Sequence, residues 1–251
     1  MNSISIIGAG PGAIDLLTIR AEKKLKEAEV LIWTDSLISP EIINLASNSC
    51  ERIPTSSLTL EEIIKLIVSR INQGKRVVRL HDGDPCLYGA ISEQICRLAD
   101  EGIDVEIIPG ISAYQAAAAR LNCELTAPQT TQTIILSRSK GRTEMPENED
   151  LEKLAAINAS LCIYLSARHV KEVEKKLLEH YPEDTPVAIC YRVSWKDEWV
   201  KVVNLNKLAK ETKDQNLIRT TLFIVSPALR REKSRSKLYS PDHSHLFRQE
   251  K

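Results

Sequence analysis

Short β-branched runs recur along the first half of the chain at 4–7 (ISII), 30–33 (VLIW), 77–80 (VVRL) and 105–108 (VEII), with amphipathic stretches between them. Neighbouring parallel strands need a long crossover, and a helix is the usual one. This alternation therefore predicts an α/β fold built on a mainly parallel sheet. The clearest crossover is TLEEIIKLIVSRINQGK, in which Thr59 and Glu62 make a T-x-x-E capping box, Ile63, Ile67 and Ile71 line one face, and Gly74 supplies the stop.

A second series follows LTAPQTTQ, with strands at 133–136, 161–165, 186–190, 199–203 and 221–225 and helical patterns near 150–157 and 168–179. In YRVSWKDEWVKVV two strands flank a polar turn at Lys196–Glu198, which predicts a hairpin and makes this half a mixed sheet. With 251 residues, two domains can each bury a core: 1–128 and 129–229, with 230–251 as a tail. The tail, seven Lys/Arg against three Asp/Glu with no periodic apolar face, is disordered by composition, and His243 and His245 in it lack a fixed third metal ligand. The polar segment SRSKGRTEMPENED at 137–150 is expected to be a mobile surface loop or lid.

Lys plus Arg and Asp plus Glu both number 34, so no net field points to nucleic acid or a membrane surface. MNSISIIGAG lacks a basic start followed by a long apolar stretch, and no apolar run approaches the ~18–20 residues that span a bilayer. A cytoplasmic protein is expected. Six cysteines (Cys50, Cys86, Cys96, Cys123, Cys162, Cys190) stand singly, which fits reduced thiols rather than disulfides, and no His/Cys/Asp set has metal-ligand spacing, so no resident metal is expected.

Three strand-to-helix turns carry the chemistry. SIIGAGPGAIDLLTIRA places Gly8, Gly10 and Gly12 after a strand. Gly8, Gly10 and Ala13 satisfy the dinucleotide pattern, with Asp35 as a ribose acid, so a nicotinamide-binding Rossmann oxidoreductase is one reading. Against it, Pro11 removes an N–H from the loop whose amides would cradle pyrophosphate. VVRLHDGDPCLYGAISEQ puts Asp82 and Asp84 at the carboxyl end of a strand, where ligands of open α/β sheets bind. Carboxylates there suit a cation or hydroxyl donors and repel phosphate. IIPGISAYQAAAARL supplies the third turn, with Ser112 as helix N-cap and small residues behind it. Together the three imply one shared cleft.

In this order, G-x-G-P-G at 8–12, GDPCLYG at 83–89, PGISAYQAA at 109–117, and further LTAPQTTQTIILSRSKGRTEMPENEDL, IYLSARH, PVAICYRVSWKDE and RTTLFIV, the motifs resemble the tetrapyrrole methylase family over about 1–229. Within it, GRTEMP and YRVSW are similar to the branch that methylates C11 of precorrin-4 or cobalt-precorrin-4 in cobalamin synthesis. The resemblance implies two α/β domains with a cleft between them, a homodimer, and S-adenosylmethionine as methyl donor. It assigns cofactor contacts to Pro11, His81, Gly83, Asp84, Leu87, Ser112, Ala113, Leu165, Tyr191, Arg192 and Thr221. Arg138, Arg142, Arg168 and Arg219 lie in segments suited to pairing with substrate carboxylates. Because a conjugated substrate brings its own nucleophilic carbon, no acid–base pair is required, and His81 or Asp84 would at most tune charge. Any cobalt would belong to the substrate. Ala13, where many relatives carry Asp, and Cys86, where a small hydroxyl residue is common, depart from the pattern. Methylation at another precorrin or uroporphyrinogen position, and a tetrapyrrole carrier without turnover, stay open beside the Rossmann reading.

Overall fold

The computed structural model describes residues 2–34, 37–141, 143–230, 236, 240, 243–244 and 246–248. Asp35, Arg142, His245 and most of the tail lie outside the described residues. By contacts the chain divides into two units, Met1–Ala116 with Arg192–Glu198, and Ala117–Tyr191 with Trp199–Lys251.

The first unit holds β1 (Ser3–Gly8), α1 (Ile19–Glu27), β2 (Val30–Trp33), α2 (Pro40–Ile43), β3 (Glu51–Pro54), α3 (Leu60–Asn72), β4 (Val77–His81), α4 (Ile91–Asp100) and β5 (Asp104–Ile108); α5 (Ala113–Arg120) begins in it. The strands pair in the order β3-β2-β4-β1-β5, all parallel. Sequence periodicity does not reveal β3. It is four residues, ERIP, at a sheet edge, where a short charged strand with proline is tolerated and gives no alternating signal. The α3 capping box forms as expected, Glu62 N–H reaching Thr59 Oγ1 at 3.3 Å and Thr59 N–H reaching Glu62 Oε2 at 2.7 Å. Its Ile63, Ile64, Ile67 and Ile71 pack with Ile4, Val30, Ile32 and Val77 on one sheet face. Leu25, Leu31, Val78, Leu80 and Ile108 fill the other. A parallel sheet covered on both faces needs such apolar strands, and truncating Ile67 to Ala would cost ~2–5 kcal/mol.

The second unit contains β6 (Ile134–Arg138), α6 (Leu151–Ala155), β7 (Ser160–Tyr164), α7 (Val170–Leu178), β8 (Pro186–Tyr191), β9 (Trp199–Asn204), α8 (Leu208–Asp214) and β10 (Thr221–Val225). Strand order is β6-β7-β10-β8-β9, with β6 and β7 parallel and the remaining pairs antiparallel. The expected hairpin is present as β8 and β9, Tyr191 opposite Trp199. Phe223, fully buried, centres a core with Leu161, Ile163, Val173, Leu177, Val187 and Ile189. Among the described residues no helix is long and apolar enough to cross a membrane.

Candidate active site

In the first unit the turns after β1, β4 and β5 meet backbone to backbone. A methyl group on Gly8 would lie 2.5 Å from Gly83 O and 2.6 Å from Gly110 N, and one on Gly110 would lie 2.1 Å from Gly83 O. Gly10 N–H donates to Gly83 O at 3.1 Å, Gly83 N–H donates to Gly10 O at 2.9 Å, and Ala9 N–H donates to His81 O at 2.7 Å. These amides are spent within the protein. The loop therefore offers no row of free N–H groups for pyrophosphate, which removes the physical basis of the Rossmann reading.

Asp84 has a different role from the one its charge suggests. One carboxylate oxygen accepts the N–H of Cys86 at 2.8 Å and the other accepts the N–H of Gly110 at 2.9 Å. It closes its own turn and ties it to the next. Asp82 is exposed as a residue, but its carboxylate sits down among the turn atoms: desolvation raises its pKa, its own backbone N–H working the other way. The turn continues through Leu87, half-buried, to Tyr88 at φ 58° and Ala90 at φ 49°. Left-handed backbone at non-glycine residues costs ~1–3 kcal/mol each and gathers at functional sites. It also delays α4 to Ile91, and no side chain caps its start.

His81 and Arg79 share one face of β4, two residues apart. Arg79 Nη1 donates to Thr55 Oγ1 at 3.0 Å, while its Nε and the Nε2 of His81 are buried without a partner. With 8% of His81 exposed, burial first and the Arg79 guanidinium second push the imidazole pKa down to about 4. Burial brings Arg79 down to about 10, so it stays charged while His81 is neutral near pH 7. Beyond β5, Ser112 N–H donates to Gln115 Oε1 at 2.9 Å and Ser112 O accepts from Gln115 N–H, opening α5 ahead of Ala113.

The connection between β8 and β9 belongs by contacts to this same unit. Arg192 pairs with Asp197 at 2.5 Å and lies 4.9 Å over the Trp195 ring. Trp195 Nε1–H donates to Pro11 O at 2.9 Å, and Ser194 Oγ accepts Ala13 N–H at 3.0 Å.

In the second unit, Thr221 and Tyr191 are register partners across β10 and β8, and Thr221 Oγ1 donates to Arg219 O at 2.9 Å. Leu165 follows β7 with φ 54° and 70% of its surface exposed. Arg138 donates to the carbonyls of Ser139 and Thr143 at 3.3 Å and Glu144 at 2.7 Å, so its guanidinium organises the loop after β6. Arg168 and Arg219 are exposed and form no ion pair among the described residues. Glu152, far along the chain from the adjacent Glu179 and His180, joins them so that one potential ligand atom of each lies within 4.8 Å of the others, a largely exposed group of a kind common without an ion.

Residues 3–209 match the family model of Tetrapyrrole (Corrin/Porphyrin) Methylases. The chain belongs to that family. It is 43% identical over 247 residues to cobalt-precorrin-4 C(11)-methyltransferase of Methanocaldococcus jannaschii, covering 98% of this chain and 95% of that one. To precorrin-4 C(11)-methyltransferase of Pseudomonas aeruginosa it is 39% identical over 247 residues, covering 98% of each. The X-ray structure of a cobalt precorrin-4 methyltransferase superposes with a TM-score of 0.88 at 38% identity, over 90% of this chain and 95% of that one.

Sequence reasoning about this methylase missed three features of the site. Asp84 was legible as an acid at a strand end, and its use as a two-turn tie was not. Arg79 reads as one polar residue inside a buried strand, a local conflict with an apolar run and thus a usable signal. Trp195 and Ser194 gave no signal toward Pro11, since 184 positions separate Trp195 from it.

Proposed function

We propose that this methylase transfers a methyl group from S-adenosylmethionine to C11 of precorrin-4 or cobalt-precorrin-4 in cobalamin biosynthesis. The observation that carries the reading is near-full-length identity of 43% and 39% to relatives that bear the same C11 activity, one on the cobalt form and one on the metal-free form. The turns of the first unit fit the cofactor chemically. The amides of Ala9, Gly10 and Gly83 are consumed internally, Asp82 places an acid that a nearby cation would hold ionised against its desolvation, and neutral His81 keeps an open Nε2.

When bound, S-adenosylmethionine supplies an electrophilic methyl on a sulfonium. The residues proposed to hold it are Pro11, His81, Gly83, Leu87, Ser112, Ala113 and Arg192 in the first unit and Leu165, Tyr191 and Thr221 in the second, with Asp84 acting through the turn it ties. Arg168 and Arg219, exposed and unpaired with acids among the described residues, are the better candidates for substrate carboxylates; Arg138 is committed to its loop. The protein's work is alignment and exclusion of water, because a methyl transfer to an electron-rich carbon asks no side chain for a proton in the bond-forming step. A cytoplasmic homodimer is part of the same reading, supported by the family resemblance.

The test is mass spectrometry of the pigment after incubating the protein with S-adenosylmethionine and precorrin-4, metal-free and cobalt-loaded in parallel. Gain of one methyl at C11 on either form is the expected result. No gain on either, with S-adenosylhomocysteine still bound, would overturn the substrate and leave the cofactor.

A further inference from the structure

The turn after β1 is held from outside by side chains of the β8–β9 connection. Trp195 donates its indole N–H to Pro11 O at 2.9 Å and lies flush against Gly12, where an added methyl would come within 2.2 Å of Cδ1 and 2.4 Å of Nε1. Ser194 Oγ accepts the N–H of Ala13 at 3.0 Å, and Glu198 in turn accepts Ser194 N–H at 2.7 Å. Lys196 pairs with Glu41. Arg192 braces the indole from above and is itself fixed by Asp197.

A hairpin connection meant only to reverse the chain needs two to five residues and no such apparatus. This one also accepts left-handed backbone at Arg192 (φ 45°) and Ser194 (φ 68°). Such strain persists where the surroundings over-determine it. All of its directed bonds to the β1 turn go to main-chain atoms of residues 11–13, the stretch at which the cofactor is proposed to bind.

We propose that Trp195, with Ser194, is a positioning residue for S-adenosylmethionine: it fixes the Pro11 carbonyl and the Ala13 amide so that the turn after β1 presents a single shape to the cofactor. This rests on the cofactor reading above. Gly12 is then glycine because the indole occupies the space of a side chain, and the clamp restrains the turn before any ligand arrives, lowering the ordering cost of binding.

The experiment uses the full chain with S-adenosylhomocysteine as probe. Trp195→Phe keeps an aromatic ring on the same stem and removes the N–H donor with part of the indole's bulk; Ser194→Ala removes only the acceptor for Ala13. The expected result is a Kd for S-adenosylhomocysteine raised about five- to tenfold in each variant, because the loosened turn must then be ordered on binding. The melting temperature should move by no more than ~4 °C, the shift that one lost hydrogen bond gives in a chain of this size. In turnover, KM for S-adenosylmethionine rises by the same factor with little change in kcat, the signature of lost ground-state binding. Wild-type binding with an unchanged Kd in both variants overturns this inference alone. Absence of binding by the wild type overturns the cofactor reading and this inference with it.

Discussion

The carboxylate of Asp84 accepts the backbone N–H of Gly110 at 2.9 Å, joining the turn after β4 to the turn after β5. Its other oxygen closes the turn onto Cys86, so one side chain adds a directed bond to the glycine backbone contacts that already bring the two turns together. Asp84→Ala should lower stability by ~2 kcal/mol, the loss of two charge-assisted hydrogen bonds in a partly solvated place. Urea unfolding measures this, and S-adenosylhomocysteine binding should weaken in parallel. A variant as stable as the parent would refute the tie.

Gly110 has no room for a side chain, because the added methyl would meet Gly83 O at 2.1 Å, a backbone atom that cannot rotate away. Gly110→Ala should therefore cost ~3 kcal/mol by overpacking. Gly102, with nothing within 4 Å of an added methyl, serves as a control for space alone, although its φ of 70° carries its own strain. The comparison is read from midpoints of thermal unfolding.

His81 makes stability depend on pH. Its folded pKa of about 4 lies below the ordinary value of 6.5, so between those values the unfolded chain takes up the proton first. The contribution is whole above about pH 6.5 and is lost as the pH falls toward 4, amounting to ~3 kcal/mol at the acid end. Differential scanning calorimetry from pH 7.5 to about 4.5 should show a shallower loss for His81→Gln than for the parent. Parallel curves would sink the assignment.

Arg168 and Arg219 make no ion pairs among the described residues, so replacing either with Ala should change stability by less than ~0.5 kcal/mol. If they pair with substrate carboxylates, KM for the tetrapyrrole rises while KM for S-adenosylmethionine holds. Steady-state kinetics with each substrate varied in turn separates the two. Arg138→Ala should act otherwise, loosening the 139–144 loop whose carbonyls it gathers, which limited proteolysis at Lys140 would register.

Local sequence determined much of this fold. The capping box of Thr59 and Glu62, the isoleucine face of α3, the apolar strands and the hairpin between β8 and β9 are encoded within a few residues, where helix period, strand run and turn chemistry act without help. Local sequence also placed glycines at the ends of β1, β4 and β5, with acids after β4, and carried the family motifs. What it left undecided is who meets whom. Strand β3 emerged only as the edge partner of β2. Asp84 found Gly110 across 26 positions, and Trp195 found Pro11 across 184. Such pairs have no local period, because their separation is fixed by strand order and by which loop ends lie at the same sheet edge. Packing the whole chain brings a donor within 3 Å of its acceptor there, and the chemistry of either residue alone could not name the other.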